Sequence, residues 1–203
     1  MGLLNRLFGS TESVAKEMEA DEESILKHWE NYLGTISGKK RIIENLPKNV
    51  KAVGIFVNET ANKIKDIADF CNLDLVQLSG DENAEFLSNL KKTTNQKIIK
   101  AFRIGIGKKF PKENFFPIAD YILLDSFKKG GYGGTGKVFD WSMAKTIDKK
   151  IMFLSGGLNT SNVKIAIRKL NPYCVDVCSG IEKSPGRKDF MKMKEFIIQA
   201  KVR

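Results

Sequence analysis

The sequence of 203 residues is 42% hydrophobic, which is enough for one α/β domain with a sizeable core. No apolar run approaches the length of a transmembrane helix, so we expect no membrane association. The three cysteines, Cys71, Cys174 and Cys178, show neither metal-ligand spacing nor a disulfide framework. We therefore expect no bound metal and a cytoplasmic protein.

The net charge of +10 is distributed unevenly along the chain. Residues 1–38 carry 3 Lys+Arg and 7 Asp+Glu, whereas residues 39–203 carry 31 and 17. A basic domain attracts phosphates on metabolites or on nucleic acid, although lysines scattered over solvated helices are a sufficient explanation of the charge. No RNA-recognition or helix-turn-helix signature accompanies it, so we do not expect a nucleic-acid partner.

The N-terminal part of the chain has a different pattern from the rest. Residues Ser10 to Leu33 are charged and carry apolar side chains at helical spacing, and no strand is readable before Ala52. A second, short helix is predicted at Arg41–Leu46. We predict two units, an acidic helical segment at residues 1–38 and an α/β domain at residues 39–203.

From Ala52 onward, short apolar runs typical of buried strands alternate with helical patterns. Six strands are predicted, at Ala52–Val57, Leu75–Leu78, Lys97–Phe102, Tyr121–Leu124, Ile151–Leu154 and Cys174–Cys178. Helices are predicted after Thr60 and from about Ala84, Trp141, Ser161 and Phe190. This alternation predicts a parallel sheet with crossover helices, but its periodicity fits both a TIM-barrel-like (β/α) sheet and an open, doubly wound sheet.

Two of the predicted strands end in similar glycine-containing turns. Ile151–Leu154 leads into Ser155, Gly156 and Gly157, and the strand from Cys174 leads into Ser179 and Gly180, with helical segments following both turns. Parallel α/β proteins present backbone N–H groups to a phosphate in this way. The two turns therefore predict a shared phosphate site.

Two aspartates and a glycine-rich loop complete the candidate site. Asp125 ends a strand and is placed for acid–base chemistry, although capping of the next turn is an equally good explanation. Asp176 lies inside an apolar strand, where it either contacts substrate or forms a structural salt bridge, for which Lys100 is a candidate. The loop Gly130–Lys137 nearly matches a P-loop, but Val138 stands where Ser or Thr is needed, so we favour a mobile lid.

A series of ordered motifs resembles those of the phosphoribosylanthranilate isomerase family over about residues 41–201. They are Val53–Asn58, Val76–Glu82, Leu123–Ser126, Gly133–Gly136 with Phe139–Trp141, Leu154–Leu158, Asn162–Val163, Val175–Glu182 and Pro185–Asp189. The resemblance implies a TIM-barrel-like fold. It also implies the Amadori rearrangement of N-(5'-phosphoribosyl)anthranilate to the carboxyphenylamino-deoxyribulose phosphate, a step of tryptophan biosynthesis that uses no cofactor.

The resemblance also implies roles for individual residues. Asp125 matches the family's general acid, which opens the ribose ring, and Asp176 matches the residue that holds the sugar hydroxyls. Ser79 stands in the substrate site where the family motif has histidine. The family's phosphate cradle corresponds to Gly156, Gly157, Ser179 and Gly180.

The sequence departs from the family near its N-terminus. The family's base is a cysteine in a first-strand Lys-Ile-Cys-Gly motif, and an arginine after the second strand holds the anthranilate carboxylate. This sequence has no cysteine before Cys71 and no matching arginine. We therefore predict an incomplete barrel, with about six of the usual eight strands and a helical segment replacing the first ones.

These departures leave two functions open. One is an isomerase of a phosphorylated sugar metabolite whose activity is impaired by the missing cysteine. The other is a non-catalytic phosphate-ligand-binding or regulatory module whose N-terminal helix contacts a protein. In both cases an open barrel edge favours a homodimer.

Overall fold

The structure is a computed structural model that describes residues 35–104, 115, 118–126, 144 and 147–201. These residues contain one six-stranded sheet and one two-stranded sheet. The strands of the large sheet are β1 (Val53–Phe56), β2 (Leu75–Leu78), β3 (Lys97–Ile104), β4 (Tyr121–Ser126), β5 (Met152–Leu154) and β6 (Cys174–Val175). The α-helices are α1 (Ile36–Glu44), α2 (Ala61–Cys71), α3 (Ala84–Thr93), α4 (Val163–Leu170) and α5 (Phe190–Lys201).

The strand order decides between the two architectures that the sequence leaves open. Strands β1 to β6 lie side by side in chain order, and each adjacent pair is parallel. A doubly wound sheet would reverse its order at a switch point, whereas a barrel adds each strand on the same side of the last. The predicted TIM-barrel-like sheet is confirmed: within the described residues, six parallel strands form a curled half-barrel with helices.

Local sequence signals explain where the helices begin and end. Thr35, Thr60 and Asn83 precede α1, α2 and α3, and each side chain accepts a hydrogen bond from an amide in the first turn. Asn72 and Asn171 follow α2 and α4 in the left-handed conformation, which asparagine tolerates better than most residues. These caps bring each chain segment back toward the start of the next strand.

Alternation along each strand gives the large sheet two different faces. One face supplies Val76, Ile98, Ile122 and other residues to a hydrophobic cluster that includes Ile64, Leu87 and Ala166 of the helices. The residues between them, such as Gln77, Ala101 and Leu123, line a cavity instead. Because successive side chains of a strand point to opposite faces, the helix-packed face and the cavity face stay separate.

The C-terminal region differs from its prediction in two respects. Strand β6 ends at Val175 instead of Cys178, although the Asp176 amide still donates to the Leu154 carbonyl at 2.8 Å. A helix does not follow Gly180 directly. A 3₁₀ turn at Ser179–Ile181 comes first, and β7 (Glu182–Ser184) and β8 (Arg187–Lys188) then pair antiparallel. Gly186, at φ 79°, provides the tight turn between them.

The helix predicted at Arg41–Leu46 begins earlier, at Ile36, because Thr35 caps it by accepting a hydrogen bond from the Gly38 amide at 3.1 Å. The helical segment predicted at Ser10–Leu33, the helix predicted from about Trp141 and the glycine-rich loop lie outside the described residues, apart from Ala144. The division of the chain at residue 38 stays a prediction. None of the helices in the described ranges combines the length and apolarity needed to cross a membrane.

Candidate active site

A cavity of about 230 Å³ opens at the carboxyl ends of the parallel strands. Its lining comes from all six strands or the turns that follow them, which is where TIM-barrel-like proteins carry their ligand sites. The lining residues are Ile55, Val57, Gln77, Ser79, Ala101, Arg103, Leu123, Asp125, Ser155, Gly156, Gly157, Leu158, Asp176, Val177, Cys178 and Ser179.

The structure brings the residues singled out in the sequence to this one cavity. Six of them contribute directly to the lining, and Gly180 follows the lining residue Ser179. The six are Ser79, Asp125, Gly156, Gly157, Asp176 and Ser179. Their proximity is a structural result, whereas the catalytic or binding role of each stays a prediction.

Asp125 lies half-buried near the end of β4, and its surroundings favour the protonated form. Burial raises the pKa of this carboxyl above its usual value, and the nearby charge of Asp176 acts in the same direction. The Ser126 amide, which donates to Asp125 Oδ1 at 2.8 Å, and the charge of Arg103 partly oppose that rise in pKa. A carboxyl group that retains its proton to higher pH is suited to general acid catalysis.

Replacing Asp125 with asparagine should stabilise the fold at neutral pH. Ionisation of Asp125 costs folding free energy because burial raises its pKa in the folded state above its usual value. This cost is absent below the pKa of the unfolded state, grows as pH rises toward the pKa of the folded state and is constant above it. The asparagine variant does not ionise, and its side chain can still accept the hydrogen bond from the Ser126 amide. We expect the Tm of the variant to exceed that of the wild type at neutral pH.

Thermal denaturation followed by circular dichroism at a series of pH values checks this expectation. The difference in Tm should shrink as pH falls through the window between the two pKa values. A difference that is the same at every pH would contradict a buried, partly protonated Asp125.

Asp176 contacts a serine of the cavity instead of the lysine considered for it. Ser155 Oγ donates a hydrogen bond to Asp176 Oδ2 at 2.9 Å. The candidate salt bridge to Lys100 was wrong, because Lys100 Nζ lies 2.6 Å from Glu82 Oε2 and both side chains are 3% exposed. Lys100 alternates with Ala101 along β3 and belongs to the helix-packed side, so the sheet separates it from Asp176.

The two glycine turns are in direct contact. A Cβ added to Gly180 would lie 1.9 Å from the Leu158 carbonyl oxygen, and a Cβ added to Gly156 would lie 2.3 Å from the Ser126 amide nitrogen. Gly156 and Gly157 also adopt φ values of 82° and 73°, which side chains rarely permit. Such close packing of the backbones would let amides from both turns converge on one anion, as the predicted phosphate site requires.

The first of these turns is tied to the helix that follows it. Asn162, the residue before α4, donates from Nδ2 to the Gly157 carbonyl at 2.9 Å and accepts at Oδ1 from the Asn159 amide at 2.9 Å. These hydrogen bonds fix the turn relative to the beginning of α4. A fixed turn loses less conformational entropy when it binds a ligand.

Replacing Gly180 with alanine should therefore damage both the fold and anion binding. The added Cβ meets backbone instead of a flexible side chain, so one of the two turns must move. We expect a loss of about 1–3 kcal/mol in the free energy of unfolding, typical of overpacking, and at least tenfold weaker binding of inorganic phosphate. Gly186→Ala is the control for loss of a glycine, because no atom lies within 4 Å of its added Cβ, although its positive φ adds some strain. Equal phosphate affinities of the two variants, measured by calorimetry, would contradict the predicted cradle.

Arg103 and Gln77 line the cavity but were not predicted as site residues. Arg103 is the one lysine or arginine that lines the cavity among the described residues, and its β-sheet partner is Asp125. The predicted strand ended at Phe102, whereas β3 continues to Ile104. The alternation of Ile99, Ala101 and Arg103 was the signal that could have placed the arginine on the cavity face.

Comparison with known proteins places the chain among named relatives. A sequence model of the family described as N-(5'-phosphoribosyl)anthranilate (PRA) isomerase matches residues 20–199, and so includes part of the acidic segment at residues 1–38. The N-(5'-phosphoribosyl)anthranilate isomerase of Aquifex aeolicus is 46% identical over 155 residues, which cover 75% of this chain and 73% of that protein.

Solved structures agree with this sequence relationship. A crystal structure of phosphoribosyl anthranilate isomerase from Thermotoga maritima is 38% identical with a TM-score of 0.68, covering 82% of this chain and 80% of that one. Another, of monomers generated from the dimeric enzyme of the same organism, is 33% identical with a TM-score of 0.65, covering 82% and 79%.

A third solved structure is a phosphoribosyl anthranilate isomerase in complex with reduced 1-(o-carboxyphenylamino)-1-deoxyribulose 5-phosphate. It is 35% identical to this chain with a TM-score of 0.63, and the match covers 82% of this chain and 79% of that one. The strand order, the cavity at the strand ends and these similarities agree. The chain belongs to the phosphoribosylanthranilate isomerase family.

Proposed function

We propose that this chain isomerises N-(5'-phosphoribosyl)anthranilate by an Amadori rearrangement, converting an aminoaldose to an aminoketose in tryptophan biosynthesis. The observation that carries the proposal is the position of Asp125, which is half-buried in the cavity between Arg103 on one side and the two glycine turns on the other. Family membership supplies the substrate and the reaction.

In the proposed first step, Asp125 donates its proton to the ribose ring oxygen. The bond between that oxygen and C1 breaks, the ring opens, and the anilino nitrogen donates its electron pair to form an iminium ion. The raised pKa of Asp125 supports this role, because a general acid must hold its proton at the working pH.

The proposed substrate contacts divide the cavity into two regions. Backbone amides of Gly156, Gly157, Ser179 and Gly180 bind the phosphate, whose negative charge suits converging N–H groups. Ser79 and Asp176 contact the sugar hydroxyls. The hydrogen bond from Ser155 supports the role of Asp176, because it holds one carboxylate oxygen and leaves the other available as an acceptor.

The second step removes the proton at C2, and the resulting enol tautomerises to the ketone. The family's cysteine base has no counterpart before Cys71 in this sequence. Since one acid–base group contributes about 10²–10⁴-fold to a rate, we propose that turnover is lower than in relatives by a factor of this size. The proposed chemistry moves only protons, so it includes no cofactor or metal.

The missing base also supports a second candidate function. The same cavity would then serve a non-catalytic phosphate-ligand-binding or regulatory module. In that case the segment at residues 1–38, most of which lies outside the described residues, would contact a protein partner. The two candidates share the phosphate site, and they differ in turnover and in the protein partner.

Two further parts of the proposal concern assembly and location. We propose a homodimer, since a dimeric isomerase occurs among the structural relatives and β1 pairs on one side only in the described residues. We also propose a cytoplasmic location, which the three free cysteines support.

Loss of anthranilate fluorescence after mixing the purified chain with freshly made phosphoribosylanthranilate tests the proposal, with a protein-free blank as control. Turnover above the blank supports the isomerase. Calorimetry with the reduced product analogue separates the remaining outcomes. Binding without turnover supports the non-catalytic module, and no binding at millimolar ligand contradicts both candidates.

A further inference from the structure

A buried ion pair joins the carboxyl ends of three strands beside the cavity. Lys100 Nζ, from β3, lies 2.6 Å from Glu82 Oε2 and also donates to the Gly80 carbonyl at 2.9 Å. Glu82 Oε1 accepts from the amide of Asn58, two residues beyond β1, at 2.8 Å. The pair therefore ties the turns that follow β1 and β2 to β3.

The two turns are also in close contact with each other. Asn58 Oδ1 accepts from the Asp81 amide at 2.7 Å, and a Cβ added to Gly80 would lie 2.2 Å from that oxygen. Asn58 occupies this position in the left-handed conformation, at φ 52°. Because the contact is so close, a shift of one turn requires a shift of the other.

Residues that line the cavity directly precede both turns. Val57 precedes Asn58, and Ser79 precedes Gly80. Ser79 Oγ accepts a hydrogen bond from Gln77 Nε2 at 3.0 Å. Since a hydroxyl group can donate while it accepts, the Ser79 proton remains available to an acceptor on a ligand.

Stability alone does not account for an ion pair at this position. Both side chains are 3% exposed, so both charges have lost nearly all of their hydration. Burial lowers the pKa of Lys100, although the hydrogen bond to Glu82 and its charge oppose this fall. Two apolar side chains of similar volume often stabilise a fold equally well. The charged pair adds directional hydrogen bonds, which fix the turns in one arrangement.

We propose that the Lys100–Glu82 pair positions Ser79 for substrate binding, because it holds the turn after β2 where the Ser79 hydroxyl can reach the sugar. This assignment rests on the proposed function, in which Ser79 contacts a sugar hydroxyl. Lys100 and Glu82 do not line the cavity, so they are positioning residues. Their influence should be local, since the predicted phosphate turns follow β5 and β6, at the other end of the sheet.

Binding of two probes to the full chain tests the assignment. The probes are the reduced product analogue, which has a phosphate and a sugar chain, and inorganic phosphate, which reports on the phosphate turns alone. The variant is Lys100→Met/Glu82→Gln, because either single change leaves a buried charge without its partner. Calorimetry well below the Tm of this variant should show about 3- to 10-fold weaker binding of the analogue, the range of one neutral hydrogen bond. Phosphate affinity should be unchanged.

Two comparisons distinguish positioning from a general loss of structure. Lys63→Met/Glu59→Gln makes the same two changes in an ion pair of 2.8 Å outside the cavity and should leave both affinities unchanged. Ser79→Ala should weaken analogue binding by a similar factor in the wild type, but add little to the effect of Lys100→Met/Glu82→Gln. In turnover, KM should rise while kcat changes little, since Asp125 lies on β4, outside this network.

Three results would overturn the assignment. Unchanged analogue affinity in folded Lys100→Met/Glu82→Gln would show that the pair is only structural. Equal loss of both probes would show a general disturbance of the fold. Additive effects of this variant and Ser79→Ala would show that the pair acts through another group. A wild type that does not bind the analogue would remove the proposed function itself, and this inference with it.

Discussion

Replacing Asp125 with asparagine lowers turnover of phosphoribosylanthranilate by about 10²–10⁴-fold, the contribution typical of one general acid. Asparagine has nearly the same shape and still accepts from the Ser126 amide, but it has no acidic proton to donate to the ribose ring. Binding of the reduced product analogue should change little, because the ring is already open in that ligand. The substitution should therefore lower kcat and leave the affinity for the analogue nearly unchanged.

The matched control is Asp66→Asn, which makes the same chemical change on the exposed surface of α2. Its turnover should equal that of the wild type. Retention of wild-type turnover in Asp125→Asn would exclude Asp125 as the acid and would direct attention to Asp176, the other aspartate of the cavity.

Replacing Lys100 with methionine should destabilise the fold by about 3–5 kcal/mol, the usual effect of removing one partner of a buried ion pair. Glu82 Oε1 would still accept from the Asn58 amide at 2.8 Å, but Oε2 would lose its cation within a region that is almost fully buried. Lys100 Nζ also donates to the Gly80 carbonyl at 2.9 Å, so the turn beside Ser79 loses a support. Tm should fall by roughly 6–20 °C.

A double-mutant cycle separates the energy of the ion pair from the cost of burying the Glu82 charge without its cation. Lys100→Met combined with Glu82→Gln removes both charges and should recover part of the stability, because the glutamine is neutral and can still accept from Asn58. Lys65→Met is the exposed control: its partner is Asp69, both side chains are more than 40% exposed, and its effect should be below about 1 kcal/mol. A loss of stability in Lys100→Met no greater than in Lys65→Met would contradict the importance of the buried pair.

Much of the sheet was predictable because its strands are short, apolar and bounded by turn residues. Strand β2 has the predicted limits, and β1 and β5 lie within theirs. The hairpin after Gly180 was not predicted, since its five strand residues are mostly charged or polar and lack the alternation that marks a half-buried strand. The turn at Pro185 and Gly186 contributes more to the formation of this hairpin than the strand residues do.

The buried ion pair shows where reasoning from one strand at a time fails. Lys100 was considered a partner for Asp176 because both are charged residues within apolar strands. Lys100 pairs with Glu82 because of the face of β3 on which it lies and because the turn after β2 folds over it. Both are tertiary features, and no local spacing in the sequence encodes them.

The glycine turns were predictable, whereas the cation at the other end of the cavity was not. Glycine directly after a buried strand has a steric reason, which the close approaches of Gly156 and Gly180 to neighbouring backbone make explicit. Arginine is common on surfaces, so the alternation that could have placed Arg103 on the cavity face is a weaker signal than a glycine after a strand. Only the observed length of β3 and its register with β4 place Arg103 beside Asp125.

A crystal structure of this chain with the reduced product analogue would test the central assignment most directly. We expect the phosphate at the turns of Gly157 and Gly180 and the sugar chain beside Asp125. Ligand density outside this cavity, or a phosphate bound away from both turns, would contradict the assignment of the cavity as the active site.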